Sequence, residues 1–401
     1  MNATGTSQKV IVAGAGPVGL MTAQRLLAAG IETIVLEAKA ALTRDLRAST
    51  FHPPTLDMLA DDGIADALVA EGLVCNEWQI RLHPVGERVV FDMSVIAGDT
   101  DHPYRLQAEQ FRLTGLLAKR IEALGGTIHF SSRVVGVTQA DGVVTVTTDD
   151  GRQFDAGYIV GADGGQSIVR KQLDIAMPGS TYPQISVLAT TDFAFHEVLP
   201  GISNVTYAWG PNANFALLRL PEVWRCSLYP PVGLSADEAV AVDIVRPLIA
   251  DIAPEAAQTE LLDVRAYSVH RRLADTFSQG RVYLAGDAAH LNPPSGGMGM
   301  NGGIHDAVCL ARCLTSAIKS NDPQLLEAYE AERRPIVSAD IIDQAGANRA
   351  RMAEQDHEKR RQSVLDLQKI VADKTQARDY LLKSSMITGL RKADALREAM
   401  T

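Results

Sequence analysis

Apolar runs that end at glycine, separated by helically spaced apolar positions, organise the first part of this chain. Lys9 to Ala13 reads as a buried strand that stops at Gly14. A helix follows, with Pro17 in its first turn, where a missing N–H costs nothing, and with a stop at Gly30. Ile31 to Leu36 is a second strand, closed by Glu37, so the chain opens as a βαβ unit. Helical spacing returns over Asp57 to Glu71 and over Gln110 to Leu124, the latter closed by Gly125-Gly126. Between them, Val74 to Arg105 is mixed and strand-like. Val134 to Gln139, Val143 to Thr148 and Phe154 to Gly161, punctuated by Asp141-Gly142 and Asp150-Gly151, predict an antiparallel meander.

The pattern then changes. From Asp174 to Arg272, alternating runs (Ser186 to Phe193, Asn204 to Trp209, Phe215 to Leu220, Trp224 to Tyr229) are bounded by prolines, with one helix near Ala236 to Ala250. This predicts a second, mainly antiparallel sheet. Strand and helix alternation resumes at Gly280. From about Arg349 the chain is highly charged with scattered apolar positions, which predicts solvated terminal helices packed on the body.

Composition narrows the function classes. The 401 residues are 46% hydrophobic and 21% charged, ample for a buried core. A formal net charge of -10 argues against a nucleic-acid partner, which needs a basic footprint. No polybasic segment suits an anionic membrane surface, and no apolar run approaches the length that spans a bilayer. The polar start, Met1 to Gln8, lacks the pattern of a secretory signal, so a cytoplasmic location is expected. Cys75, Cys226, Cys309 and Cys313 make no disulfide framework, and no Cys/His set has metal spacing; no metal is expected.

Three glycine-rich stretches carry the chemistry. In Gly14-Ala15-Gly16-Pro17-Val18-Gly19, Gly14 permits a tight turn, Gly16 admits a pyrophosphate to the backbone and Gly19 allows close helix–strand packing. The helix N-terminus offers unpaired N–H groups and a partial positive charge to phosphates. Glu37 is placed to accept from the ribose hydroxyls and would repel a 2′-phosphate. The second stretch is Gly161-Ala162-Asp163-Gly164-Gly165-Gln166-Ser167, continuing to Arg170. The third, Gly286-Asp287-Ala288-Ala289-His290, follows an apolar strand and precedes Pro293-Pro294 and a glycine-rich helix start, Gly296 to Asn301.

In this order and spacing the three motifs resemble the single-component FAD-dependent aromatic-ring hydroxylases, flavoprotein monooxygenases of the p-hydroxybenzoate hydroxylase type. The resemblance runs from about Val10 to Pro335. It implies an α/β fold: a Rossmann-like FAD-binding domain over 1-173 and 274-345, a mainly antiparallel β-sheet substrate domain over 74-105 and 174-273, and C-terminal helices over 346-401. A thioredoxin-like C-terminal domain, as in phenol hydroxylase, is not expected within this sequence.

The resemblance also implies roles. Arg47 would lie near flavin and pyrophosphate, and Gln107 would contact the cofactor, with Arg112 close by. Asp163 would support FAD while the surrounding backbone serves NAD(P)H. Asp287 would bind the ribityl chain. Pro293 would stand beside the reactive edge of the flavin ring, making it, with Arg47, the catalytic candidate. Gly299, Met300 and Asn301 would turn a helix N-terminus toward the flavin where charge develops on reduction. His290 reads as structuring this turn, and for Asp306 and Asn301 a structural role stands equally beside a functional one.

The implied reaction passes a hydride from NAD(P)H to FAD, captures O2 as a C4a-hydroperoxide and hydroxylates an electron-rich ring of phenol, hydroxybenzoate or hydroxypyridine type. Residues facing that ring are expected on the second sheet: Tyr207, Arg219, Arg225 and Tyr229, with His270 on the returning segment. A homodimer is compatible with the sequence and not specified by it. Two alternatives stand beside this reading: a related FAD-dependent reductase without oxygen transfer, and a non-catalytic flavin-binding protein. A halogenase is disfavoured because Trp78, Trp209 and Trp224 are isolated, and a Baeyer–Villiger enzyme because a second GxGxxG is missing.

Overall fold

Val10–Ala13, entirely aliphatic and no more than 1% exposed, is a central strand of a six-stranded sheet. Burial of each Val or Ile there contributes about 1.5–3 kcal/mol. The computed structural model describes residues 8–44, 46 and 48–400. In it the sheet order is Ser278–Gln279, Val282–Leu284, Tyr158–Gly161, Val10–Ala13, Thr33–Leu36, Thr127–His129. All pairs are parallel except the edge pair formed by Ser278–Gln279.

The helix Pro17–Ala28 lies on this sheet and packs against Gln110–Ala123 and the long helix Met298–Ser320. Two glycines make the approach feasible. A Cβ on Gly19 would stand 2.0 Å from the Gly14 carbonyl oxygen, and one on Gly14, at φ 105°, would stand 2.4 Å from the carbonyl oxygen of Ala162.

The second sheet has seven strands, ordered Asp263–Tyr267, Ser186–Thr191, Trp224–Leu228, Asn214–Arg219, Val205–Trp209, Glu77–Leu82, Arg88–Asp92. Only Val205–Trp209 with Glu77–Leu82 is a parallel pair. Strand alternation gives this sheet two different faces. Trp224, Cys226 and Leu228 join Phe195, Val245, Ile249 and Ile252 in a core beneath the helix Val242–Ile252. Arg225 and Ser227 point the other way, into a cavity.

Several expectations need correction. The third run of the meander splits at Gly157: Gln153–Ala156 pairs with Val143–Thr148, but Tyr158–Gly161 enters the parallel sheet between Val10–Ala13 and Val282–Leu284. Its four residues are all buried, which only an interior strand of a covered sheet provides. The helix expected over 57–71 is two, Pro53–Asp61 and Ala65–Ala70, broken at Gly63 in the left-handed region. The helix near 236–250 is likewise two, Ala236–Ala239 and Val242–Ile252.

The C-terminal helices do more than lie in solvent on the body. Val364, Leu367, Leu381, Leu382 and Ile387 share a core with Trp78, Ile80, Phe91 and Ile96. Tyr380 stacks on Phe91 at 4.8 Å between ring centroids. No helix among the described residues is long and apolar enough to cross a membrane.

Candidate functional site

One cavity of ≈ 940 Å³ reaches from the first glycine-rich loop to the open face of the seven-stranded sheet. That is the upper end of the range for small-molecule sites, about 300–1,000 Å³. At one end, Gly14, Ala15, Gly16 and Pro17 line it at the start of Pro17–Ala28, where no side chain caps the helix. The first-turn N–H groups are therefore available to an anion. A Cβ at Gly16 would meet nothing within 4 Å, so the backbone here is open to an approaching group. Glu37 is also in the wall. Its Oε2 accepts from the Ala15 N–H at 2.8 Å and its Oε1 from the Lys39 N–H at 2.9 Å, which fixes the loop and the carboxylate together. An ionised carboxylate has room for further donors such as ribose hydroxyls.

Asp163 closes the opposite side. Its Oδ2 accepts from the N–H groups of Ile168 and Val169, and its Oδ1 is buried with no partner among the described residues. Arg170 ties this motif to the third, donating to the Ala288 carbonyl at 3.0 Å and the Gly165 carbonyl at 3.2 Å. Asp287 lines the cavity from the turn after Val282–Leu284, with its side chain exposed there.

Beneath that turn lies a buried ionic cluster. Asp306 accepts from the Gly286 N–H at 3.1 Å, from His290 Nε2 at 2.6 Å and from Arg333 Nε at 2.8 Å. Burial would raise the Asp306 carboxyl, but the neighbouring His290 and Arg333 outweigh it and hold it at about 2. His290 and Asp306 thus position the Asp287 turn rather than line the cavity.

Gly299 and Met300 line the cavity at the start of Met298–Ser320; Asn301 does not. Asn301 is fully buried, donating to the carbonyls of Thr50 and Gly297 and accepting from the His52 N–H, so it clasps the 50–52 segment to the helix start. Gln107 also stands behind the wall. It pairs with the Thr50 hydroxyl, its cross-strand neighbour, while Gln110 faces the cavity. Gly19 is taken up by its packing against Gly14. Pro293 is displaced from the wall by its neighbour Pro294, and Arg112 is turned outward to Glu109 and Glu71. Arg47 lies outside the described residues.

The far end of the cavity is aromatic and basic. Cross-strand register sets Ile80, Tyr207, Ala216 and Ser227 in one row, with Leu218 and Arg225 in the next. Of the expected ring-facing residues, Tyr207, Arg225, Tyr229 and His270 line the cavity. Arg219 does not: it is one residue out of phase with Leu218, pairs across the strands with Trp224 and covers that ring on the far face at 5.9 Å. Arg225 Nη1 donates to Ser49 Oγ at 3.0 Å. Burial pushes the Tyr229 phenol well above its usual range, so it stays a neutral donor. His270 is at the edge, its Nδ1 2.9 Å from Thr181 Oγ1.

Sequence reasoning missed Trp78, Arg105, Arg351 and Tyr380, all in this wall. Arg105 stands on the strand that carries Gln107, but Gln107 is held behind the wall, so that neighbour gave no cue to it. Nothing local marked Tyr380.

The donor set fits a bound dinucleotide: an open glycine loop at a helix start, two carboxylates flanking it and a partnerless buried Asp163 oxygen. A family model described as an FAD binding domain matches residues 7–345. The 6-hydroxy-3-succinoylpyridine 3-monooxygenase HspB of Pseudomonas putida strain S16 is 32% identical over 337 residues, covering 82% of this chain and 84% of its own. The para-nitrophenol 4-monooxygenase of Pseudomonas sp. strain WBC-3 is 30% identical over 398 residues, covering 96% and 97%. The crystal structure of p-nitrophenol 4-monooxygenase PnpA from Pseudomonas putida DLL-E4 superposes with a TM-score of 0.87 at 29% identity, over 94% of this chain and 98% of that one. With its three motifs gathered around one cavity, the chain belongs to the FAD-dependent aromatic hydroxylase family of flavoprotein monooxygenases.

Proposed function

We propose that this protein hydroxylates an electron-rich aromatic ring of the phenol, hydroxybenzoate or hydroxypyridine type, using NAD(P)H and O2. The observation that carries the reading is one continuous cavity, with the open glycine loop, Glu37 and Asp163 at one end and Trp78, Tyr207, Arg225 and Tyr229 at the other. Residues that hold a cofactor and residues that hold a ring face the same space. The names of the relatives, which act on a nitrophenol and a hydroxypyridine, agree with it.

Gly14, Gly16 and Pro17 would receive the pyrophosphate at the helix start, and Glu37 the adenosine ribose. Asp287 would hold the ribityl hydroxyls, and Gly299 and Met300 would present the backbone at the flavin ring. FAD, when bound, supplies the hydride acceptance and the oxygen transfer. The chain's own residues orient the substrate and exclude water. Tyr207 and the neutral Tyr229 are placed to donate hydrogen bonds to a ring oxygen, and Arg225, held by Ser49, contributes positive charge that favours the ionised form of a phenol. The C-terminal helices add Tyr380 and Ser384 to this wall, and excluding water there would preserve the oxidising equivalent for the ring.

The test is NAD(P)H oxidation by the FAD-loaded protein across phenols, hydroxybenzoates and hydroxypyridines, with products followed by mass. A ring that accelerates oxidation and gains one oxygen atom supports the reading. Oxidation with no ring oxygenated across the panel would move a reductase ahead of it.

A further inference from the structure

Arg105 is a buried charge in the cavity wall that the roles above leave unused. It belongs to Arg105–Gln107, opposite Cys75 in a small antiparallel sheet, and is only 2% exposed. Its guanidinium lies over Trp78 at 4.3 Å, and the hydroxyls of Tyr207 and Tyr380 are its other polar neighbours. Nε and Nη1 are buried and have no hydrogen-bond partner, and no carboxylate pairs with Arg105 among the described residues. Cys75 supplies no counter-charge either, since burial pushes its thiol up to about 12. Arginine does not shed its proton in proteins, so an uncompensated cation is held in the cavity wall. Such a group is costly unless something fills its donors.

We propose that Arg105, flanked by Tyr207 and Tyr380, is the substrate-anchoring anion subsite of the chamber, taking an ionised oxygen (carboxylate or phenolate) of the ring substrate. The inference rests on the aromatic-hydroxylase reading for the ring and adds the charge that the ring must carry. Trp78 forms the flat floor on which the guanidinium is held, and the stack Trp78–Phe91–Tyr380 fixes that floor. Arg351 Nη1 donates to the Tyr380 hydroxyl at 3.1 Å, which leaves the Tyr380 proton available to the ligand. The subsite is therefore built jointly by the strand Arg105–Gln107 and by the C-terminal helix Lys374–Ser384.

The experiment is equilibrium binding to the FAD-loaded protein, without NAD(P)H, read by quenching of tryptophan fluorescence and by perturbation of the flavin spectrum. Two arms separate the oxygen sources. 4-Hydroxybenzoate against 4-hydroxybenzamide reports a carboxylate, and 4-nitrophenol above and below its own pKa reports a phenolate. Wild type is expected to favour the anion of at least one pair by about tenfold or more, the range of a charge-assisted hydrogen bond. Arg105→Met keeps the stem on Trp78 and should cut that preference at least about threefold, Arg225 supplying any remainder, with flavin content and melting temperature unchanged or raised, because an unpaired charge is removed. Arg105→Lys should keep part of the preference. No anion preference in wild type, or an undiminished one in Arg105→Met, overturns the subsite. Anion-dependent binding through Arg105 with no ring oxygenated in turnover would sustain the subsite and sink the hydroxylase reading instead.

Discussion

Asp306→Asn tests how far the Asp287 turn depends on the charge buried beneath it. Asp306 has no exposed side-chain surface and neutralises Arg333, itself 1% exposed, while holding His290 and the Gly286 N–H. The substitution is nearly isosteric, so it removes charge and acceptor capacity without opening a cavity. Removing one partner of a buried ion pair costs about 3–5 kcal/mol, chiefly because the remaining charge is stranded. The depressed carboxyl points the same way. Lowering from 3.8 to about 2 corresponds to a contribution on the order of 2–3 kcal/mol. A depressed carboxyl stabilises the fold above its unfolded pKa, so that contribution is full above about pH 4 and disappears as pH falls toward about 2. The assay is urea unfolding of the apoprotein at neutral pH, alongside FAD titration. We expect a loss of several kcal/mol at unchanged denaturant slope, together with weakened FAD binding because Gly286 is no longer held. A loss below about 1 kcal/mol would refute the argument that the charge organises this turn.

Further predictions follow from other parts of the site. Gly14→Ala places a methyl 2.4 Å from the Ala162 carbonyl oxygen at φ 105°, so the purified variant should lose its yellow colour and melt lower; full flavin occupancy would contradict the loop geometry. Burial lowers His52 and His305 to about 3, with Arg105 and Arg333 respectively adding to it. Because the unfolded state then takes up more protons, stability should fall as pH drops below about 6.5, by up to about 1.4 kcal/mol per pH unit per histidine. Unfolding of His52→Gln and His305→Gln across that range should show a flatter profile. Asp99→Ala frees Arg378 and Arg391 of the C-terminal helices; because both arginines are about half exposed, we expect a small change in global stability. Limited proteolysis should nonetheless cut faster between 353 and 392, and an unchanged cleavage rate would show that apolar packing alone holds these helices.

Local chemistry determined a large part of this protein. The opening βαβ unit was legible because a β-branched run, a glycine turn and a proline at the first helical position all act within a few residues. For the same reason the glycine loop and Glu37 could be picked out locally, whereas Asp163 and Asp287 came from the resemblance; all of them line the one cavity. The alternation of the second sheet was visible too, but which residue of each alternating pair faces the cavity was not. That depends on register across strands, and it separates Arg225 in the chamber from Arg219 on Trp224. Burial also escaped local reading. Asn301 and Gln107 are polar residues beside motifs, and only the tertiary fold shows their donors spent on the 50–52 segment. The charged C-terminal stretch reads as a solvated surface because its apolar positions are sparse. Tertiary packing brings those few positions against Trp78 and Phe91, and with them places Tyr380 beside Arg105, 275 residues away in the chain (380 − 105). Contacts across such separations leave no periodic trace in either segment, so the glycine-loop end of the cavity was written locally and its aromatic end was made by the fold.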